Sequence, residues 1–243
     1  MRYFLLSTVA AAAIAAVTTP IAATAADLRP YQAPPPVVWS WTGFYVGGHL
    51  GVGWGHKNWS DPFPGAIFGD RVNLSGAVAG GQIGFNYQVG AFVWGLEADA
   101  AWARLEGSNT CFSGVGGFNC AATAQSLGTV AGRLGYAIDR TLLYVKGGAA
   151  WVNDKYSLGN LAANIVTTNV TKWGWTIGGG IEHALTQNWT VKLEYNYMDF
   201  GSTAVPFGFA PPFNSFTIDQ RVHVAKLGVN YLFGYGSPVV GKY

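Results

Sequence analysis

The chain contains little charge and no long apolar run after its first residues. Only 11% of its 243 residues are Asp, Glu, Lys or Arg, against about 25% in soluble domains. Half of the residues are hydrophobic and 15% are aromatic. No later stretch reaches the roughly 18 consecutive apolar residues that a membrane-spanning helix needs. A hydrophobic chain without such a helix indicates a closed β-barrel, the other structure in which all backbone hydrogen bonds are formed in lipid.

Several chemical signals are also missing. The net charge is only +2 with no basic cluster, which argues against nucleic-acid binding. No Gly-x-Ser-x-Gly motif offers a hydrolase nucleophile, and no group of His, Cys or acidic residues has metal-ligand spacing. We therefore predict no cofactor, no metal and no catalytic residue. The two cysteines, Cys111 and Cys120, lie close together in a Gly/Ser/Asn-rich segment, which predicts a disulfide in an exported protein.

The first 25 residues have the pattern of a secretory signal peptide. Arg2 precedes an apolar run from Phe4 to Val17, and small residues follow at 23–25. Cleavage after Ala25 or after Ala26 is consistent with this pattern. A Pro-rich leader over 26–42 comes next, so the chain is predicted to leave the cytoplasm.

Period-two alternation predicts the fold class. Eight alternating segments follow the leader: Gly43 to Trp54, Gly76 to Gln88, Ala91 to Trp102, Gln125 to Ile138, Thr141 to Asn153, Lys172 to Leu185, Trp189 to Asp199 and Arg221 to Phe233. The links between them alternate strictly between long and short. We predict an all-β protein, an eight-stranded antiparallel up-and-down transmembrane β-barrel over 43–233. It would have short periplasmic turns, four long extracellular loops and a C-terminal periplasmic tail over 234–243. A soluble lipocalin-like barrel is the alternative, but it would turn its apolar positions inward.

Charged residues share one face of the predicted strands. In FVWGLEADAAWARLE, Glu97 and Asp99 lie opposite Trp94 and Trp102, which are separated by roughly 20 Å of height on a tilted strand. The inward charges are Glu97, Asp99, Arg133, Lys146, Glu182, Lys192, Glu194 and Lys226. The interior of an eight-stranded barrel is just wide enough for side chains to fill it, and buried charges must pair there. We therefore predict a barrel-interior charge network and not a catalytic pair.

The opposite face is apolar and predicts contact with lipid. Its members include Leu96, Val145, Leu193, Leu227 and Val229. The predicted loops are rich in aromatic residues that could bind partners or cover the barrel rim: Trp59, Phe63, Phe68, Phe112, Phe118, Phe207, Phe209 and Phe213.

Four motifs carry a resemblance to a known family. WSWTGFYVGGHLGVGWG, GRLGYAIDRTLLYVKGGAAW, NWTVKLEYNYMDFG and KLGVNYLF resemble the small outer-membrane β-barrel proteins of alphaproteobacteria, called porin family or outer-membrane immunogenic proteins, in the outer-membrane protein A-like superfamily. The resemblance implies localisation in the cell outer membrane. It also implies a C-terminal signal for the barrel assembly machinery at Lys226, Gly228, Tyr231 and Phe233. Similar proteins that begin Ala-Asp can be joined to peptidoglycan, so Ala26 and Asp27 are candidate attachment residues; an ordinary leader is the alternative.

Three functions remain open at this stage. The first is a structural, surface-exposed barrel that supports the envelope, contacts lipid and lipopolysaccharide, and offers its loops to host or environmental partners. The second is a small-solute porin, which the family label implies and the strand count argues against. The third is an outer-membrane lipid-modifying enzyme, for which His49 is the one interior candidate. We predict that the protein is not an enzyme.

Overall fold

The computed structural model describes residues 39–60, 70–111, 118–160, 163–206 and 215–233. The predicted signal peptide, most of the leader with Ala26 and Asp27, and the C-terminal tail lie outside this part. The eight strands are β1 (Gly43–Ser60), β2 (Asp70–Val89), β3 (Phe92–Cys111), β4 (Phe118–Ile138), β5 (Thr141–Asn160), β6 (Ala163–Ala184), β7 (Trp189–Pro206) and β8 (Ser215–Phe233). No helix long and apolar enough to span a bilayer occurs in the described residues.

The sheet closes on itself. Each strand pairs antiparallel with its neighbour in sequence, and β1 also pairs with β8, so the order β1 to β8 forms a closed barrel. Gly48, for example, lies opposite Gly81 of β2 and Val229 of β8. Closure pairs each strand on both sides along the apolar band, which lipid requires of a sheet. At the extracellular end the β6–β7 pairing stops at Trp175 and Asp199. The predicted eight-stranded antiparallel up-and-down barrel is confirmed.

The two ends of the barrel differ in how the strands are joined. The turn after β2 contains Gly90 with φ of +60°, and the turn after β4 contains Asp139 with φ of +50°. Gly, and less often Asp, adopts this left-handed conformation at low cost. Short turns at this end agree with the prediction.

The strands at the other end extend beyond their predicted limits. Residues 61–69, 112–117, 161–162 and 207–214 are all that separate them there. Every second residue remains buried in the lumen past the predicted strand ends. Lys57 and Tyr156, for example, are both 0% exposed. Adjacent strands therefore continue to pair where composition alone suggested loops.

The outer wall is apolar between two aromatic girdles. Leu96 is 68% exposed and Leu193 is 57% exposed. Exposed aromatic residues near the short turns are Phe44, Phe85, Tyr87, Phe92, Trp94, Tyr136, Trp189 and Phe233. Those at the far end of the apolar band are Trp54, Trp102, Trp173, Trp175 and Tyr195. Since the apolar side chains point outward and the charges inward, the arrangement is opposite to that of a lipocalin-like barrel.

Candidate functional site: the barrel lumen

The middle of the lumen is a layer of charged side chains. All eight predicted interior charges are buried: Glu97, Asp99, Arg133, Lys146, Glu182, Lys192, Glu194 and Lys226. They come from strands β3 to β8 and meet in one connected set of ion pairs. The four acids balance the four bases, so this layer has no net charge when all are ionised.

Glu97 has a basic or hydroxyl partner on each carboxylate oxygen. Its carboxylate accepts hydrogen bonds from Lys146 Nζ at 2.7 Å and from Lys192 Nζ at 2.9 Å. The Tyr45 hydroxyl donates to it at 2.8 Å, and Arg133 lies at 3.5 Å. Every oxygen that could act as a base is thus already bonded to a cation or a hydroxyl. This geometry is that of a structural ion pair.

The remaining acids are held in the same way. Lys226 Nζ lies 3.3 Å from Asp99 and 3.0 Å from Glu194, and Thr129 donates a hydrogen bond to Asp99. Arg133 donates to Glu182 at 2.7 Å, with its guanidinium carbon 3.9 Å from the centre of the Tyr144 ring. Because the partners come from different strands, the layer cross-links the barrel wall.

Glycines on the inner wall make room for the long side chains. A Cβ atom on Gly84 would lie 2.3 Å from the Tyr45 ring. A Cβ atom on Gly180 would lie 2.7 Å from the Tyr144 hydroxyl. The Gly-rich strands thus bring both tyrosine hydroxyls to the carboxylates, which they reach at 2.8 Å and 2.7 Å.

Two tryptophans, Trp39 and Trp41, lie at the periplasmic mouth of the barrel, and we call them the tryptophan plug. Trp41 is 1% exposed and belongs to an apolar cluster with Val93, Leu142, Tyr144 and Ala184. Trp39 packs edge to face against it at 5.6 Å, and the backbone N–H of Trp41 donates to Gln88 Oε1 at 2.8 Å. Sequence reasoning assigned these residues to the leader. The Trp-Ser-Trp spacing immediately before β1 was the signal that could have identified them.

An apolar layer fills the extracellular half of the lumen. It comprises Trp59, Val72, Leu74, Val78, Ala101, Leu105, Cys120, Ala122, Ala124, Leu127, Ala150, Val152, Tyr156, Met198, Phe200, Val205, Ile218, Val222 and Val224. The prediction that Trp59 is an aromatic loop residue available to partners or to the barrel rim is wrong. It is 1% exposed and lies inside on β1, since period-two alternation continues beyond Trp54.

A second group of buried charges lies at this extracellular level. Lys57 Nζ lies 2.8 Å from Asp154, and the Tyr156 hydroxyl donates to the same carboxylate at 3.0 Å. Lys172 Nζ donates only to the Ile218 carbonyl among the hydrogen bonds of the described residues, at 3.1 Å. Extending the alternation past Trp54 and past Asn153 would have found Lys57 and Asp154, and Lys172 already begins the predicted sixth strand.

These lysines lie on the extracellular side of the Trp54 and Trp173 girdle positions. Burial lowers the pKa of Lys57 to about 8, against the opposing pull of the Asp154 carboxylate. Burial, and then the positive charge of Lys57, lowers the pKa of Lys172 to about 8. Two ammonium groups and one carboxylate leave an excess positive charge in this layer.

The other candidate residues are His49 and the two cysteines. His49 is buried; its Nδ1 contacts Gln82 Oε1 at 2.5 Å, and its Nε2 has no hydrogen-bond partner among the described residues. No group of three or more His, Cys, Asp or Glu side chains in the described part could hold a metal ion. Cys120 is disulfide-bonded. The Cys111 side chain lies outside the described part, so the predicted pairing stays a prediction, as does the assembly signal on β8.

A closed eight-stranded barrel with a lipid-facing band and a filled lumen defines the class of small outer-membrane β-barrels. The profile of the family described as outer membrane protein beta-barrel domain matches residues 9–233. The chain belongs to this family and is a protein of the outer membrane.

Curated relatives and a solved structure agree with this assignment. The chain is 34% identical over 243 residues to the 31 kDa outer-membrane immunogenic protein of Brucella melitensis, covering 93% of this chain and 95% of the relative. It is 32% identical over 206 residues to the 22 kDa outer membrane protein of Rhizobium leguminosarum bv. viciae, covering 83% and 82%. The crystal structure of OprG from Pseudomonas aeruginosa shares the fold, with a TM-score of 0.55, 14% identity, and coverage of 81% and 98%.

Proposed function

We propose that the protein is a structural, surface-exposed barrel that supports the outer membrane and does not conduct solutes. The observation that supports this proposal is the filling of the lumen. A tryptophan plug, a charged layer and an apolar layer follow one another along the barrel axis in the described residues. A water path would have to pass all three, and a side-chain-filled interior is what eight strands favour.

The proposal gives the extracellular end the role of contacting host or environmental partners. Strand β1 continues beyond the girdle residue Trp54 to Ser60, so its extracellular end extends past the apolar band. The Brucella relatives carry names that describe those proteins as immunogenic. Recognition by the assembly machinery through β8, and wall attachment through Ala26 and Asp27, belong to the same proposal.

Single-channel recording of the refolded mature chain in a planar bilayer tests the central claim. We expect a folded protein that gives no unitary steps under conditions where a control porin conducts. The variant Trp41→Ala should also be silent, since the charged and apolar layers remain. Steps that disappear when the protein is unfolded by heat would contradict the proposal and support the porin alternative. Steps from Trp41→Ala alone would mean that the plug is the only seal.

A further inference from the structure

Four rings form one patch on the outer wall at the extracellular girdle. We call Trp54 of β1, Tyr195 and Tyr197 of β7 and His223 of β8 the aromatic platform. His223 stacks on Trp54 with centroids 5.8 Å apart and planes 8° apart, and it lies 5.1 Å from the Tyr197 ring. The Tyr195 hydroxyl and His223 Nδ1 are hydrogen-bonded at 2.7 Å. Trp175 of β6 extends the patch, 5.5 Å from Tyr197.

Two charged side chains, Asp199 and Arg221, lie next to the platform on its extracellular side, and we call them its polar edge. Asp199 sits at a register shift in the β7–β8 pairing, next to Gly201, whose φ of +57° favours glycine. Asp199 accepts hydrogen bonds from the Gly201 N–H at 2.9 Å and from the Tyr197 hydroxyl at 3.1 Å. Arg221 Nε lies 3.3 Å from the same carboxylate. A β-bulge commonly re-aims a side chain at a functional site, and here it fixes a carboxylate and a guanidinium beside the rings.

The rest of the girdle is built differently. Trp102 is 80% exposed and Trp173 is 69% exposed. Neither ring contacts another aromatic ring in the part of the chain that the structure describes. Anchoring at the membrane interface needs only single amphipathic rings. Ring pairs also occur at the periplasmic girdle, as between Phe92 and Tyr136. The cluster on β6, β7, β8 and β1 adds a histidine that is hydrogen-bonded to a tyrosine, which anchoring does not need.

The chemistry of this patch fits a saccharide. A sugar ring presents C–H groups on its faces, which pack on aromatic rings, and hydroxyls on its edges, which bond to carboxylates and guanidinium groups. Arg221 is already balanced by Asp199 at 3.3 Å and Asp219 at 3.8 Å, so hydroxyls suit the site better than a free phosphate. The platform lies on the outer wall at the extracellular girdle, a position that the headgroup of a lipid in the outer leaflet can reach.

We propose that the aromatic platform and its polar edge bind the sugar headgroup of a glycolipid in the outer leaflet. The tryptophan, tyrosine and histidine rings stack on the sugar, and Asp199 and Arg221 bond its hydroxyls. This proposal is independent of whether the lumen conducts.

Retention of purified lipopolysaccharide tests the proposal. The mature chain is refolded in micelles containing lipopolysaccharide and repurified in a detergent without a sugar headgroup, and the lipopolysaccharide retained per barrel is measured. We expect wild type to retain it, and Trp54→Leu and Arg221→Gln to retain about two- to tenfold less, the effect of losing one such contact. Trp102→Leu is the matched control: it removes the same residue type from the same girdle and should behave like wild type.

Unfolding midpoints in urea show which variants are folded. Arg221 is 45% exposed and lies above the apolar band, so Arg221→Gln provides the test even if Trp54→Leu fails to fold. Equal retention by Arg221→Gln and wild type would overturn the proposal. An equal loss in Trp102→Leu and Trp54→Leu would do the same, since that is the behaviour of an ordinary girdle.

Discussion

Removing the buried Arg133 side chain should destabilise the barrel more than removing an exposed charged side chain does. Its guanidinium donates to Glu182 at 2.7 Å and to the Tyr45 hydroxyl at 2.8 Å, and it covers the Tyr144 ring. The variant Arg133→Ala leaves Glu182, 3% exposed, without its cation. Leaving one member of a buried ion pair without its partner costs about 3 to 5 kcal/mol. We expect the free energy of unfolding to fall by about that amount.

Urea unfolding in lipid vesicles, followed by tryptophan fluorescence, measures this loss. Arg104→Ala is the control, because Arg104 and Glu106 form an exposed pair with side chains 83% and 57% accessible; it should cost at most about 1 kcal/mol. The double variant Arg133→Ala with Glu182→Gln restores neutrality and keeps an acceptor for Thr190 and Asn230. It should therefore recover part of the loss. Equal costs for Arg133→Ala and Arg104→Ala, or no recovery in the double variant, would refute the charged-layer account.

Three further predictions address other parts of the molecule. Leu193→Arg, at a lipid-facing position, should cost roughly 2 to 4 kcal/mol and impair assembly; unfolding and membrane insertion equal to wild type would show that the facing is misassigned. The pKa of Lys57 and that of Lys172 are both lowered to about 8, so the unfolded chain binds more protons above that pH and the free energy of unfolding should rise from about pH 8 to about 10.5. Lys172→Met should weaken that rise and increase stability at pH 7, and an unchanged pH profile in urea would contradict it. Alkylation of the denatured wild-type chain should label neither cysteine until a reductant is added, whereas Cys111→Ser should be labelled at Cys120 without one; labelling of wild type without a reductant would show that Cys111 and Cys120 are not paired.

Much of the charged layer was predictable because it depends on local geometry. Successive side chains of a strand point to opposite faces, so the parity of Glu97, Arg133 and Lys146 with their apolar neighbours placed them inside. The same rule applies to three further buried charges that the prediction did not include. Lys57 and Asp154 lie just beyond the predicted ends of their strands, in polar surroundings that suggested loops. Lys172 begins the predicted sixth strand but was not counted among the interior charges.

Alternation along the chain thus determined that this protein is an eight-stranded outer-membrane barrel with charges inside and apolar residues outside. Only the tertiary structure decided which interior charges form ion pairs with one another. Lys192 bonds Glu97 across 95 residues of sequence, because closure and stagger of the strands set which inward side chains share a height. The Trp39 and Trp41 plug and the aromatic platform are likewise tertiary. Each brings together residues from separate elements whose relative heights no period in the sequence encodes.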